Sequence, residues 1–322
     1  MEPKFTITHK MLNDIVEISS IVGRLSLEKC DLQLRKKQRI RSIQSSLAIE
    51  SNPLTLEQVT GIINGKRILA HPKDIREVEN AYQAYDIAFG LNPYQIKDLL
   101  LAHKLLTQDL IKELGKFRTK EVGIYSGSDI IHLGAKAEFV PKLVKDLFKW
   151  AEKSEIHALI KSCIIHFELE IIHPFADGNG RIGRLWQSLI LSKWNALFEW
   201  LPIETIVHQH QQRYYQALNS SNRKNDSTDF IEFMLEAILA TVKSYSTIEM
   251  SDKSSDKLSD KEQLIYKKIK QYLSEYAFLT NQKATKLLEL SPSATRRYLV
   301  KFVQLGLLTA EGEKKSRVYY IE

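Results

Sequence analysis

A chain of 322 residues with 43% hydrophobic content can bury a sizeable core and has room for two domains. It has no run of about 18 apolar residues, its opening MEPKFTITHK lacks a signal-peptide core, and Cys30 and Cys163 offer neither a disulfide framework nor metal-ligand spacing. These features argue against a membrane or disulfide-stapled secreted protein and point to a soluble cytoplasmic one. The net charge is +7, from 46 basic and 39 acidic residues.

Along the first 245 residues the apolar positions recur at three and four spacing, which predicts helices over 75–89, 95–110, 140–150, 155–172 and 228–244. Near the start, IRSIQSSLAIESN (40–52) carries Ser46 and Glu50 four residues apart, on one helical face. After Gly115 the segments 122–125 and 130–133, separated by Ser126-Gly127-Ser128, read as a hairpin beside the helices. The 155–172 helix runs into HPFADGNGRIGR (173–184), and a second helix leaves it with Trp186 turned toward the bundle. Further on, HQHQQRYYQALNSSN brings Tyr214, Tyr215 and Asn222 onto one stretch, while His208 and His210, two apart, do not converge on a metal. Composition then shifts to SDKSSDKLSD, a linker-like stretch over 251–260. Beyond it, helices over 263–274, 281–289 and 291–305 and a hairpin over 308–321 complete the chain.

The twelve residues from His173 to Arg184 concentrate the chemistry of a triphosphate site. His173 can take a proton near neutrality, Asp177 can hold a divalent cation, and Gly178, Asn179 and Gly180 can bring backbone N–H groups to phosphate oxygens ahead of a helix. Arg181 and Arg184 can clamp the remaining charge. Gly178, Gly180 and Gly183 also satisfy the G-x-G-x-x-G pattern, but a helix precedes them rather than a strand, and no G-K-[ST] follows. Neither a dinucleotide fold nor a Walker loop fits.

His173, Phe175, Asp177, Gly178, Asn179, Gly180, Arg181 and Arg184 meet every defined position of H-x-F-x-[DE]-G-N-G-R-x-x-R, and from about residue 36 to 245 the chain resembles the Fic family. The resemblance implies a mainly α Fic-type helical bundle with a small β-hairpin flap, which transfers AMP from ATP to a Tyr, Thr or Ser hydroxyl of a target protein. It implies His173 as general base, Asp177 with Mg²⁺, and Gly178, Asn179, Gly180, Arg181 and Arg184 on the phosphates. Gly180 is the residue associated with AMP transfer; relatives that phosphorylate carry Lys there. The flap, 122–133, would hold the target by strand addition, and Tyr214, Tyr215 and Asn222 occupy the place where the family meets adenine. Ser46 and Glu50 resemble the inhibitory motif [ST]-x-x-x-E-[GN], with Ser51 in place of the usual Gly or Asn; in the family this Glu pairs with the second motif arginine, here Arg184, against the γ-phosphate. In some members the same Glu serves removal of AMP. Self-AMPylation and pairing into a homodimer are further implications of the family.

Four regions follow: 1–95 with the inhibitory motif, a catalytic core over 96–248, a linker over 249–260, and 261–322. The last resembles a winged helix-turn-helix domain, with Arg296, Arg297 and Lys301 on its third helix and Lys314, Lys315 and Arg317 on its wing as candidate DNA contacts. Residues 251–322 hold 14 basic and 9 acidic residues, a net of +5, which is most of the charge of the chain. The same unit also suits protein binding, so an alternative to the enzyme is a DNA-binding regulator whose Fic-like domain senses nucleotide.

Overall fold

The computed structural model describes residues 2–25, 32–126, 129–255, 258–273, 276, 278–312 and 317–320. Contacts divide the chain into two units, Met1–Lys243 and Ser244–Glu322. The first opens with α1 (His9–Arg24), where Thr8 caps the Met11 N–H, followed by α2 (Leu32–Ile49). A Thr55–Gln58 capping box starts α3 (Leu56–Ile63), and Pro72 behind the His71 cap starts α4 (Pro72–Ala88). Next come α5 (Ile96–Thr107) and a hairpin of β1 (Gly123–Ser126) and β2 (Asp129–Leu133), antiparallel with an irregularity between Ile124 and Tyr125. Gly127 and Ser128 of the expected turn lie outside the described residues. Then follow α6 (Val140–Lys153), α7 (Ala158–Ile172), α8 (Asn179–Trp194), α9 (Ile203–Gln209), α10 (Gln211–Lys224) and α11 (Thr228–Ser255).

α7 and α8 are the hub, because both are buried along nearly their whole length. Around them Leu47 of α2, Val78 and Tyr85 of α4, Leu99 and Leu106 of α5, and Val144 and Phe148 of α6 form one continuous core. Burial of side chains of this size stabilises by roughly 1.5–3 kcal/mol each. Trp186 is fully enclosed there, with its ring stacked on Phe148 and its indole N–H donating to the Pro93 carbonyl at 2.9 Å. The six residues between α7 and α8 are therefore held from both ends, and they are the first half of the motif.

The second unit contains α12 (Asp260–Leu273), β3 (Leu279–Thr280), α13 (Asn281–Leu288), α14 (Pro292–Gln304), β4 (Thr309–Glu311) and β5 (Val318–Tyr320), with strand order β3-β5-β4, all antiparallel. Ile269, Leu299, Phe302 and Tyr319 fill its separate core. α11 differs from the composition-based expectation, since it stays helical through Ser255 and takes in the first part of the segment assigned to a linker. Lys, Asp and Ser lack a core-facing pattern there, but none of them breaks a helix as Pro or Gly does. No helix of the described residues is long and apolar enough to cross a membrane.

Candidate active site

His173 closes α7 in the left-handed region, at φ 51° and ψ 62°, while its N–H completes the helix on the Leu169 carbonyl. A non-glycine residue is costly there, by about 1 kcal/mol or more, and the cost is met by Arg118. This buried arginine donates to the His173 carbonyl at 2.7 Å, to Ile172 O at 3.3 Å, to Lys120 O at 2.9 Å and to Ala135 O, so one guanidinium joins the end of α7 to the root of the hairpin. The His173 Nδ1 faces the Glu170 carbonyl at 3.4 Å. A carbonyl only accepts, so this contact favours a hydrogen on Nδ1.

Below the turn, Phe175 stacks on His103 with ring centroids 3.7 Å apart. The Gly115 N–H donates to His103 Nδ1 at 3.2 Å, which leaves Nε2–H to donate to the Asp177 carbonyl at 3.0 Å. Burial, with the Arg181 charge behind it, pushes His103 down to about 4, so the ring stays neutral and works as a brace. Asn179 ties the loop from its other side by giving and taking a hydrogen bond with the Phe175 backbone, both at 2.9 Å.

Gly178 caps α8 at φ 83°, a conformation that favours glycine. Asp177 Oδ1 accepts from the Gly178 N–H at 2.5 Å and from Arg181 at 3.1 Å, and Arg181 also approaches Glu77 at 3.5 Å. Nε and Nη1 of Arg181 are buried without a hydrogen-bond partner, beside the open first turn of α8. An anion at this helix end would find backbone N–H groups, the positive end of the helix dipole and two arginines. Among the described residues no three of His, Cys, Asp and Glu gather into a metal cluster. The Asp177 carboxylate, 53% exposed, suits a cation completed by phosphate oxygens and water rather than a closed protein cage.

The C-terminal end of α2 meets the same helix end. Arg184, its side chain 2% exposed, donates from Nε to Ser46 Oγ at 3.0 Å and from Nη2 to Ser46 O at 3.0 Å and Glu50 Oε1 at 2.7 Å. A Cβ at Gly180 would collide with Glu50 Oε1, so the carboxylate lies directly against the first turn of α8. Burial works against the Arg184 cation, but Glu50, Tyr214 and Glu170 together raise its affinity for the proton. Ser51 adopts φ 68° in the position where the family pattern has Gly or Asn, and Asn52 then anchors the turn, donating to Glu77 at 2.9 Å and accepting from the Leu54 N–H at 3.1 Å. Gln211 and Tyr215 of α10 both donate to the Ile49 carbonyl, at 3.0 and 3.4 Å.

The structure thus brings His173, Asp177, Gly178, Asn179, Gly180, Arg181, Arg184, Ser46 and Glu50 to one place. Tyr215 borders it at the end of α2. Tyr214, 1% exposed, is instead enclosed among His166, Phe230 and Phe233, with its hydroxyl 3.1 Å from His166 Nε2. Asn222 lies two turns further along α10 and is half-buried. In the second unit Arg296 and Arg297 are exposed along a groove of about 780 Å³ on α14. Lys301 shares that groove, but its charge is already matched by Glu262 at 2.7 Å, and Arg317 lies over the Tyr319 ring. Lys314 and Lys315 lie outside the described residues.

Three contributors escape sequence reading: Arg118, His103 and Glu170. Burial opposes the Glu170 charge, but His166, Arg184 and His173 around it hold its carboxyl below the ordinary range. All three sit outside the His173–Arg184 pattern, and only the hydrophobic setting of His103 between Ala102 and Leu106 hints at a buried polar group.

Residues 93–191 match the model of the Fic/DOC family. Over 284 residues the chain is 25% identical to "Protein adenylyltransferase fic-1" of Caenorhabditis elegans, covering 82% of this chain and 53% of that protein. Over 222 residues it is 28% identical to "Protein adenylyltransferase Fic" of Nematostella vectensis, covering 65% and 49%. The chain spans about half the length of these curated relatives. A crystal structure of a Fic family protein from Desulfovibrio desulfuricans G20 superposes with a TM-score of 0.76 at 37% identity, over all of this chain and 98% of that one.

Proposed function

Because the chain belongs to the Fic family, we propose that it is a protein adenylyltransferase, moving AMP from ATP to a hydroxyl of a target protein and releasing pyrophosphate. The observation that carries this reading is the His173 imidazole, set by its Nδ1 contact with the Glu170 carbonyl, at the mouth of an anion-ready helix end. His173 Nε2 takes the hydroxyl proton as the target oxygen bonds to the α-phosphorus. The bond from that phosphorus to the β-phosphate oxygen breaks in the same displacement. The first-turn N–H groups of α8 and the Arg181 guanidinium meet the charge that builds on the phosphates, and Arg184 meets the γ-phosphate. Asp177 would hold Mg²⁺, which supplies charge neutralisation on the triphosphate when bound.

We further propose that Glu50 inhibits the enzyme from within the chain. Its carboxylate engages the Arg184 donor that a γ-phosphate would need and lies against Gly180. Transfer of label to protein from α-³²P-ATP, and none from γ-³²P-ATP, tests the reaction; loss of that label in His173→Ala tests the base. Label arriving from the γ-position alone would replace AMP transfer with phosphorylation. The exposed pair Arg296 and Arg297 on α14 supports a second, separate reading, in which residues 261–322 bind DNA through a winged helix-turn-helix. A salt-dependent mobility shift lost in Arg296→Ala/Arg297→Ala tests it.

A further inference from the structure

Among the described residues of the first unit, Glu168 stands apart from the other largely buried acids. Glu77 hydrogen-bonds Asn52, Glu170 sits by His166, and Glu204 accepts from Tyr85, each within reach of a donor. Glu168, on α7 and 8% exposed, makes no hydrogen bond or ion pair with the described residues. Burial alone pushes its carboxyl up to about 7, with no neighbouring charge contributing. Buried polar groups in folded proteins are nearly always partnered, and an unpartnered one calls for a ligand or a reason.

Glu168 opens into a cavity of about 340 Å³ whose walls include Leu143, Phe167 and Ile171 and whose lining also carries Glu2, Asp226 and Lys4. The site is acidic on balance and apolar along its sides. Its position matters as much as its chemistry. Ala135, just past β2, lines the cavity, and Gly134 beside it lies against His173, since a Cβ there would be 3.4 Å from the His173 Cβ. The same Arg118 guanidinium holds both Ala135 and His173 by their carbonyls. A segment lying along the hairpin would therefore pass this cavity and the base together.

We propose that the cavity is a specificity pocket for a lysine or arginine side chain of the target protein, with Glu168 as the counter-charge. This rests on the adenylyltransferase reading for the identity of the occupant. A long cationic side chain fits both features, laying its methylenes on Phe167, Ile171 and Leu143 while its head reaches the carboxylate. A neutral side chain would leave Glu168 unpaired, and an acidic one would add repulsion.

The test measures binding without ATP, so it is independent of whether AMP is transferred. The full chain is titrated at pH 8 with Nα-acetyl-lysine methylamide, with the norleucine analogue, and with a glycine-serine heptapeptide holding one central lysine, with Tm as readout. The lysine compounds are expected to raise Tm and norleucine to leave it unchanged. The peptide should bind about tenfold more tightly than the capped residue, because its backbone adds contacts along the hairpin. Glu168→Gln, close in size, should lose the response while keeping its fold, and in the wild type the response should fade as pH falls below about 7 and Glu168 takes up a proton. Equal responses to lysine and norleucine, or a response retained in Glu168→Gln, would overturn the proposal. Equal affinity for peptide and capped lysine would also overturn it, in favour of a free-amine site. Lysine binding in a chain that transfers no label would keep the pocket and discard the reaction.

Discussion

Glu50→Gly is the perturbation with the largest expected effect on activity. Arg184 Nη2 divides its donation between Ser46 O and Glu50 Oε1, and the carboxylate contact, at 2.7 Å, is the shorter. Such a charge-assisted bond contributes about 1.5–3 kcal/mol. The Glu50 side chain is 35% exposed, so solvent screening favours the lower half of that range. About 1.5–2 kcal/mol corresponds to a gain of roughly 10- to 30-fold in productive triphosphate binding. The space against Gly180 is vacated as well, so the order of activity should be Glu50→Gly above Glu50→Gln above wild type, because Gln removes charge but keeps bulk. Initial rates of label transfer from α-³²P-ATP measure this, with Glu50→Gly/His173→Ala as the blank. The rise in Tm on adding ATP should be larger in Glu50→Gly than in wild type, since linkage ties that rise to affinity. A Glu50→Gly protein that folds, binds ATP no better and transfers label no faster would refute the competition between Glu50 and the γ-phosphate.

Arg118→Ala should lower stability by about 3 kcal/mol, since it strips the donor from several buried carbonyls, and should cut kcat more than it raises the KM for ATP. Arg118→Lys should recover part of the stability in denaturant melts and little of the rate, because an ammonium cannot span the same carbonyls. His103 and Glu168 act on acid stability in opposite senses. The His103 value of about 4 lies below its unfolded value, so its contribution is full above about pH 6.5 and is lost on acidification toward 4, by about 3 kcal/mol. Glu168 has a folded value near 7, above its unfolded value, so stability falls as pH rises from about 4.5 to 7, by a similar amount. Urea melts across pH 4–8 should therefore steepen upward with pH in Glu168→Gln and slope downward in His103→Gln relative to wild type; parallel profiles for all three would contradict both assignments. Gly183→Ala should destabilise by about 1–3 kcal/mol in the same melts, because its methyl meets the buried His166 ring at 2.9 Å.

Much of the architecture was legible because helical periodicity is local. The stretches expected at 75–89, 95–110 and 140–150 are α4, α5 and α6 to within a few residues, and Pro72 marks the start of the first of them. The motif was legible for the same reason, since its residues fall within a single helix–turn–helix. The fate of Tyr214 and Tyr215 was not. Adjacent aromatics on a helix point about 100° apart, and only packing decided that Tyr214 enters the core while Tyr215 reaches the Ile49 carbonyl. The helical continuation of α11 through Ser255 was equally hidden, since polar residues carry no signal of direction.

By itself the sequence determined a helical protein with a base, a carboxylate and two arginines around one turn, because those groups are close in the chain and local geometry suffices to cluster them. Tertiary structure decided what surrounds that cluster. Arg118 lies 55 residues from His173, Ser46 lies 138 from Arg184, and Glu50 lies 134 from it. No spacing rule connects positions so far apart; only the packing of α2, α5 and the hairpin root against the α7–α8 hub sets them within hydrogen-bonding distance.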